Sequence, residues 1–285
     1  MHTFEKALVK KLYPPRPPES HKGDFGKLLV VGGSIRYSGS PALAALAAYR
    51  AGADLVTVAA PKRAADIVAG FSPDIITYPL DYHYLNNHHL HHVIDLMADA
   101  DALVVGNGAE RIKETKGFII NLLKKAEKPC VLDADAIHAV AENRDVIKSN
   151  YVITPHQHEF SVLTGIKLEG KPLNERIEAV KKSAGQLNAT ILLKGHADII
   201  SNGNETAVNK TGCAEMTKGG TGDTLAGICG ALLARGAKPF DAACCAAYIN
   251  GLAGEMAAKK FGEGMLAYDL IWEIPNVIGG AVGKS

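Results

Sequence analysis

The sequence predicts an α/β fold of three layers, a mostly parallel central sheet with helices on both faces. Three observations predict it. Short, continuously apolar, β-rich runs recur along the chain, as strands buried on both faces require. Helical patterns, with apolar residues three or four apart, fill the gaps between them and read as crossovers. A length of 285 residues is enough to bury one large core.

The first segment reads as a short amphipathic helix followed by a stiff linker through Pro14-Pro15-Arg16-Pro17-Pro18, because proline fixes φ and lacks an N–H. Residues 1–20 are therefore expected to lie across the surface, and residues 21–285 to form a single domain. Strands are predicted at 28–31, 55–59, 75–78, 102–105, 130–132, 151–154 and 191–194. Helices are predicted at 41–51, 90–98, 112–126, 159–163 and 173–187. The alternation then breaks. Ile199-Ile200 and Ala207-Val208 flank Asn202-Gly203-Asn204, residues that tolerate positive φ, so a hairpin makes that edge antiparallel. Two long Ala-rich helices follow, 223–235 ended by Gly236 and 240–260 entered through Pro239.

Composition excludes several classes of partner. Lys and Arg number 31 against 30 Asp and Glu, so no overall field draws the chain to nucleic acid or to an anionic membrane. No run of 18 uncharged apolar residues and no signal-like start appear, and the chain reads as cytoplasmic. Five cysteines, an odd number with no Cys-x-x-Cys pair, indicate neither a disulfide framework nor a zinc site. Any anion site must be local.

Gly219-Gly220-Thr221-Gly222-Asp223 supplies one immediately before a strong helix pattern. Glycine lets backbone approach a ligand, and the unpartnered N–H groups of a first helical turn attract a phosphate. A P-loop would need Lys and Ser or Thr after the last glycine, and a dinucleotide loop would need glycine at Leu225, so this is a third kind of loop. Asp223 is the informative residue. As an N-cap it would be ordinary. Beside a bound phosphate it is repulsive unless it has a task, such as accepting a proton.

With that run, several further motifs carry a resemblance. They are His21-Lys22-Gly23-Asp24-Phe25-Gly26, Val30-Val31-Gly32-Gly33-Ser34, Leu132-Asp133-Ala134-Asp135-Ala136, Thr154-Pro155-His156-Gln157-His158-Glu159-Phe160 and Leu193-Lys194-Gly195. Together they make the sequence similar to the ribokinase-like superfamily and, within it, to the ADP- or ATP-dependent NAD(P)H-hydrate dehydratases, over about residues 21–270. The resemblance implies a ribokinase-like α/β/α fold and a cofactor-repair lyase. Its substrates would be the S-epimers of the hydrates of NADH and NADPH (NADHX and NADPHX), phosphorylated from ADP or ATP and then relieved of phosphate.

The resemblance also assigns roles. Asp223 would be the catalytic base and contact substrate. Lys194, Gly195, His196, Ala197 and Asp198, with Gly220, Thr221 and Gly222, would bind the nucleotide. Ser40, Ala42, Gly108 and His156 would touch the hydrated dinucleotide, and Glu159 would place Mg2+ through water. Asp133 and Asp135 stand behind these as candidates, and Lys218 either adds charge near the donor or faces water. The family usually has Gly-Pro-Gly where Asn107 stands and Ala where Ser40 stands. A separate NAD(P)H-hydrate epimerase is implied as a pathway partner, since many relatives carry an additional epimerising domain. A homo-oligomer, with a tetramer favoured, is implied too, and residues 242–258 are a candidate interface.

The rival reading is a small-molecule kinase of the same superfamily, of thiazole, pyrimidine or pyridoxal type, because these share the glycine-and-aspartate helix start. The Thr-Pro-His-x-x-Glu loop favours the dehydratase. His83, His88, His89, His91 and His92 cluster locally, and His88 with His92 has the i, i+4 spacing of two metal ligands, but no nearby Glu or Cys completes a site, and a solvated helix start is the simpler reading.

Overall fold

The structure, a computed structural model, describes residues 3–283. Its elements run in chain order as α1 (Thr3–Leu12), β1 (Lys27–Val31), α2 (Gly39–Arg50), β2 (Leu55–Pro61), α3 (Lys62–Ala69), β3 (Ile76–Leu80), α4 (Leu90–Ala98), β4 (Ala102–Val105), α5 (Lys113–Lys125), β5 (Cys130–Leu132), α6 (Asp135–Val140), β6 (Tyr151–Ile153), α7 (Gln157–Thr164), α8 (Leu173–Leu187), β7 (Thr190–Leu193), β8 (Asp198–Ser201), β9 (Thr206–Asn209), α9 (Thr221–Ala234), α10 (Pro239–Phe261) and α11 (Ala267–Val282). The nine strands form one sheet in the order β3-β2-β1-β4-β5-β6-β7-β8-β9. β1 to β7 pair in parallel, and β8 and β9 add an antiparallel edge, as the alternation and its break predict.

Residues along each strand alternate between the two faces. Leu28 and Val30 pack under α2, α9, α10 and α11, whereas Leu29 and Val31 pack under α4, α5 and α6. Both faces are covered, which is why the strands read as unbroken apolar runs rather than as alternating ones. A smaller cluster around Phe160, Val180 and Leu193 seats α7 and α8.

Three helices were not expected. α3 and α6 span only eight and six residues, too few for a periodic pattern to register. α11 carries Pro275 inside it, a residue that ordinarily ends a helix. Residues 242–258, the expected interface segment, are spent inside the subunit: Ala242, Ala243, Ala246, Ala253 and Ala257 are all fully buried against α9 and α11. Close approach also fixes α9, since a side chain on Gly227 would put its Cβ 2.1 Å from the Ala44 carbonyl oxygen on α2.

The His21-to-Gly26 motif lies at the N-terminal end of β1, at the edge of the sheet away from the strand C-termini. Asp54 holds it there, its Oδ2 accepting the N–H groups of Gly23 and Phe25 at 3.0 Å each. Oδ1 accepts from Arg16 of the proline linker at 2.8 Å. The Arg16 guanidinium lies over the Phe25 ring, 4.0 Å from its centre, and Tyr13 donates its hydroxyl to the Ala51 carbonyl at 2.9 Å. This motif is a clasp rather than a ligand contact.

Burial pushes the Asp54 carboxyl up, but the Phe25 N–H, Arg16 and the Gly23 N–H more than offset it and hold it below the usual carboxylate range. A depressed folded-state pKa gives stability that is present above the unfolded value and is lost as pH falls through the folded value. Asp54→Ala should therefore cost about 2–3 kcal/mol at pH 7, the scale of hydrogen bonds to a charged group. Urea unfolding of both proteins should show that gap shrinking at pH 3.

Candidate active site

Parallel strands deliver their C-terminal ends to one edge, and ligands bind there where the strand order reverses. Here that point lies between β1 and β4, which are neighbours although β2 and β3 intervene in the chain. Gly32 and Gly33 follow β1, and Gly106-Asn107-Gly108 follow β4. The two turns are tied, because the Gly33 N–H donates to the Asn107 carbonyl at 2.8 Å. A Cβ on Gly108 would sit 2.8 Å from Tyr37 Cβ and 3.2 Å from Ser40 Cβ, so the Tyr37-to-Ser40 loop closes directly over this turn.

α9 points its N-terminus into the same crevice. It begins two residues earlier than the sequence suggests, and its cap is Gly220, with φ +100°. Asp223 is thus the third residue of the helix, not its cap. A side chain on Gly220 would meet Leu43 Cδ1 at 2.6 Å and Ala267 Cβ at 2.9 Å, so glycine is needed for space as well as for φ. No side chain caps the helix, and the N–H groups of Thr221, Gly222 and Asp223 have no partner inside it. Gly222 abuts Lys194: a Cβ there would come 3.3 Å from Lys194 Nζ. An anion entering would meet helix N–H groups and an ammonium together.

A chain of buried polar groups runs beneath. Lys194 Nζ, at the end of β7, donates to Asp133 Oδ1 at 2.9 Å and lies 3.9 Å from Glu159 Oε2. Thr154, at the end of β6, donates its hydroxyl to the same Asp133 oxygen at 2.8 Å. Asn107 Nδ2 donates to Asp133 Oδ2 at 3.0 Å and to Asp223 Oδ1 at 2.7 Å, and the Ser40 side chain also favours the charged form of Asp223. Ser40 and Asn107, where the sequence departs from the family pattern, are thus both partners of Asp223.

These contacts set the charges. Burial and then the neighbouring Asp133 charge push the Asp223 carboxyl up to about 6, against the opposing pull of Asn107, Ser40 and Lys194. Burial raises Glu159 as well, with Lys194 opposing it. Lys194 is pressed down by burial but held above its ordinary value by Asp133 and Glu159.

His156 and Glu159, which spacing places on one face, form a reciprocal cap on α7. The His156 N–H donates to Glu159 Oε2 at 2.8 Å, and the Glu159 N–H donates to His156 Nδ1 at 3.1 Å. The His156 ring remains half-exposed and opens onto the cleft, its pKa lowered by burial and then by Lys194.

A cleft of about 770 Å³ adjoins α9, with Lys194, Gly195, His196 and Asp198 on one wall and Thr211 and Asn250 on the other. The β7–β8 loop carrying Gly195, His196 and Ala197 is exposed to partly exposed, as a ligand-binding loop must be. Asp198 is different: its Oδ1 accepts the Gly195 N–H at 3.0 Å and its Oδ2 accepts Asn209 Nδ2 at 3.0 Å. Both oxygens are spent on shaping the loop. Burial pushes this carboxyl up to about 6. The Thr221 hydroxyl is likewise committed, to the Met216 and Lys218 carbonyls, which leaves its backbone N–H for a ligand.

Some sequence expectations need correction. Ala42 is 2% exposed and packs into the core under α2, so its methyl group does not reach a ligand. Asp135 is taken by Arg111 Nε at 3.0 Å and the Glu110 N–H at 2.8 Å, away from the Lys194 chain. Lys218 lines the cleft but donates its ammonium to the Glu263 carbonyl. His89 is buried and bonded to the Asn86 N–H through its Nδ1, and among the described residues no group of His, Cys, Asp or Glu assembles a metal site. Among the described residues, too, no helix is long and apolar enough to cross a membrane. Sequence reasoning missed Asn250, whose Oδ1 accepts from Thr224 at 2.7 Å and whose Nδ2 donates to the Thr221 carbonyl at 3.2 Å, fixing the first turn of α9 from α10. Only its position in an Ala-rich helix could have flagged it.

The NAD(P)H-hydrate dehydratase family profile matches residues 28–276, and the chain belongs to that family. A bifunctional NAD(P)H-hydrate repair enzyme of Methanothermobacter thermautotrophicus is 43% identical over 274 residues, covering 93% of this chain and 52% of that protein. The chain thus spans about half the length of the first curated relatives it matches. An ADP-dependent (S)-NAD(P)H-hydrate dehydratase of Nitrosopumilus maritimus is 39% identical over 279 residues, covering 97% of this chain and 96% of that one. Among solved structures, the ADP/ATP-dependent NAD(P)H-hydrate dehydratase of Bacillus subtilis, co-crystallised with ATP and Mg2+, aligns with a TM-score of 0.79 at 26% identity, covering 97% of each chain.

The raised Asp223 carboxyl has a sign in stability. The folded state binds its proton more tightly than the unfolded state, so stability falls with rising pH between about 4 and 6 and stays reduced above that. Asp223→Asn, which keeps the shape and can still accept from Asn107, should be more stable than wild type at pH 8 by about 1–3 kcal/mol. Melting temperatures compared at pH 8 and pH 4.5 should show that advantage shrinking at the lower pH.

Proposed function

We propose that this member of the family is an ADP- or ATP-dependent (S)-NAD(P)H-hydrate dehydratase, which restores NADH and NADPH from their 6-hydroxy hydrates, NADHX and NADPHX. The observation that carries the reading is Asp223 itself. It is a carboxylate in the first turn of an anion-attracting helix, with Oδ1 held by Asn107 and its pKa lifted to about 6. A group poised there suits general-base work near neutral pH.

In this reading the cleft beside α9 takes the nucleotide. Gly195, His196 and Ala197 border it, Lys194 and the N–H groups from Thr221 onward meet its phosphates, and Gly220 allows their approach. The Nitrosopumilus maritimus relative supports ADP as the donor, and the Bacillus subtilis structure supports either. Phosphate oxygens with Glu159 acting through water would hold Mg2+, which would screen the negative charge carried by the transferred group.

Substrate would enter over the β1–β4 crevice, against Ser40, Gly108 and His156. Asp223 would take the proton of the ring hydroxyl as the hydroxyl oxygen bonds to the donor's terminal phosphorus and the bridging P–O bond breaks, releasing AMP from ADP or ADP from ATP. Phosphorylation turns a poor leaving group into a good one, the ring nitrogen's lone pair expels phosphate, and loss of the neighbouring C–H proton restores the ring double bond. Lys194 balances charge throughout, held in place by Asp133 and Glu159.

We read the chain as one catalytic domain from residue 21, working in the cytoplasm as a homo-oligomer, with a separate epimerase interconverting the hydrate epimers. Wild-type protein given NADH hydrate and ADP, and separately ATP, should recover absorbance at 340 nm, and no recovery with either donor would reject the assignment. Asp223→Asn should retain nucleotide binding by calorimetry yet lose about 100-fold or more in kcat, within the range typical of a general base.

A further inference from the structure

We infer that Asn107 is a positioning residue: it fixes which oxygen of Asp223 faces the substrate and, with Ser40, keeps that carboxylate ionised at the pH where the enzyme works. The inference rests on the reading of Asp223 as the base and adds how the base is set.

The geometry is specific. Asn107 is fully buried, and both hydrogens of its amide go to carboxylates, Asp133 Oδ2 at 3.0 Å and Asp223 Oδ1 at 2.7 Å. The opposite orientation of the amide would set its oxygen against two carboxylate oxygens, so the network fixes the orientation. Its own Oδ1 has no protein partner, a cost that an apolar residue of similar size would avoid. A residue retained only for packing has no reason to carry that cost. The backbone does a second job, since the Asn107 carbonyl accepts the Gly33 N–H and locks the β1 and β4 turns together.

Three charged groups bear on Asp223 or its partners. Asp133 at the end of β5 repels its charge, Lys194 at the end of β7 attracts it, and Glu159 at the start of α7 acts through Lys194. Lys194 is bonded to Asp133, not to Asp223. The direct hydrogen bond to Asp223 therefore comes from a neutral donor, Asn107 after β4, and the neutral Ser40 side chain on α2 acts in the same sense. Such donors favour the ionised form without forming a tight ion pair that would blunt the base. Asn107 also occupies Oδ1, which leaves Oδ2 as the proton acceptor.

Two substitutions test this. Asn107→Leu keeps the branched outline, at somewhat larger volume, and removes both donors, and Ser40→Ala removes the neighbouring hydroxyl without touching the buried amide. In ligand-free protein labelled with 13C at the aspartate carboxyl carbons, Asp223 is identified by the signal missing from Asp223→Asn. Its titration midpoint should rise by about one unit in Asn107→Leu and by less in Ser40→Ala, because a hydrogen bond to the charged form has been lost. The acid limb of kcat/KM for NADH hydrate with ADP should move by the same amount. Loss of activity relative to wild type should then be about tenfold greater at pH 5 than at pH 8.5, since one unit is a factor of ten in the ionised fraction. A structural defect alone would lower activity evenly across pH. Unmoved midpoints in folded protein would overturn the inference, and Ser40→Ala decides the matter should Asn107→Leu fail to fold. The titration needs no substrate, so an inactive wild type with a shifted midpoint in the variants would count against the dehydratase reading and still support the hold of Asn107 on Asp223.

Discussion

One ammonium serves three carboxylates in this crevice, and much of the site follows from that imbalance. Lys194 bonds Asp133 at 2.9 Å and stands 3.9 Å from Glu159, while Asp223 is reached only through Asn107. Buried charges are costly unless paired and hydrogen-bonded. The cluster meets that cost by sharing: Thr154 and Asn107 donate to Asp133, the His156 N–H donates to Glu159, and the surplus of negative charge appears as raised proton affinity at Asp223 and Glu159. The N-terminus of α9, with no side-chain cap, lies directly alongside. The site is therefore short of positive charge on the carboxylate side and rich in N–H donors on the ligand side.

Such a cluster needs a fold that brings distant residues together without long flexible loops. A parallel sheet does this because every strand ends on the same edge. Asn107, Asp133, Thr154 and Lys194 each follow a different strand, from β4 to β7, and they meet within hydrogen-bonding distance although up to 87 positions separate them in the chain. α9 must then be held against that edge at fixed depth. Contact of Gly227 with α2 and the grip of Asn250 on the first turn of α9 provide the depth, and both depend on the small-residue surfaces of α2, α9 and α10. The Ala-rich composition of those helices lets them pack closely against one another inside the subunit.

The sheet was legible because strands buried on both faces leave unbroken apolar runs, and the hairpin because Asn202-Gly203-Asn204 has few other uses. The missed helices are those whose local signal is weakest: α6 is six residues long and α11 contains a proline. At the site, the glycine run and Asp223 could be read from sequence, since glycine beside an acidic residue at a helix start narrows the chemistry. The cap could not be placed, because Gly220 and Asp223 are both good cap residues and only the backbone shows that Gly220 takes the position. For Ala42 the sequence gives a position near the crevice but not the direction of its methyl group, which the helix turns into the core. Least legible of all were Ser40 and Asn107, which look like departures from a pattern and turn out to contact the same carboxylate.

The apparent conflict in the sequence, a carboxylate beside a phosphate-binding turn, becomes intelligible on this reading. Before reaction, Asp223 carries charge and is disfavoured by burial, by Asp133 and by any phosphate held at α9. As it accepts the hydroxyl proton it becomes neutral, and all three penalties fall together. An interaction that is unfavourable in the ground state and relieved as the proton moves lowers the barrier, whereas one that is equally strong in both states does not. The opposing donors, Asn107 and Ser40, set the limit, since without them more of Asp223 would already be protonated at neutral pH and unable to accept the hydroxyl proton. Basicity and ionisation pull against each other, and the balance between one neighbouring carboxylate and two neutral donors places Asp223 near 6, where it is ionised at neutral pH and still a better base than an exposed aspartate.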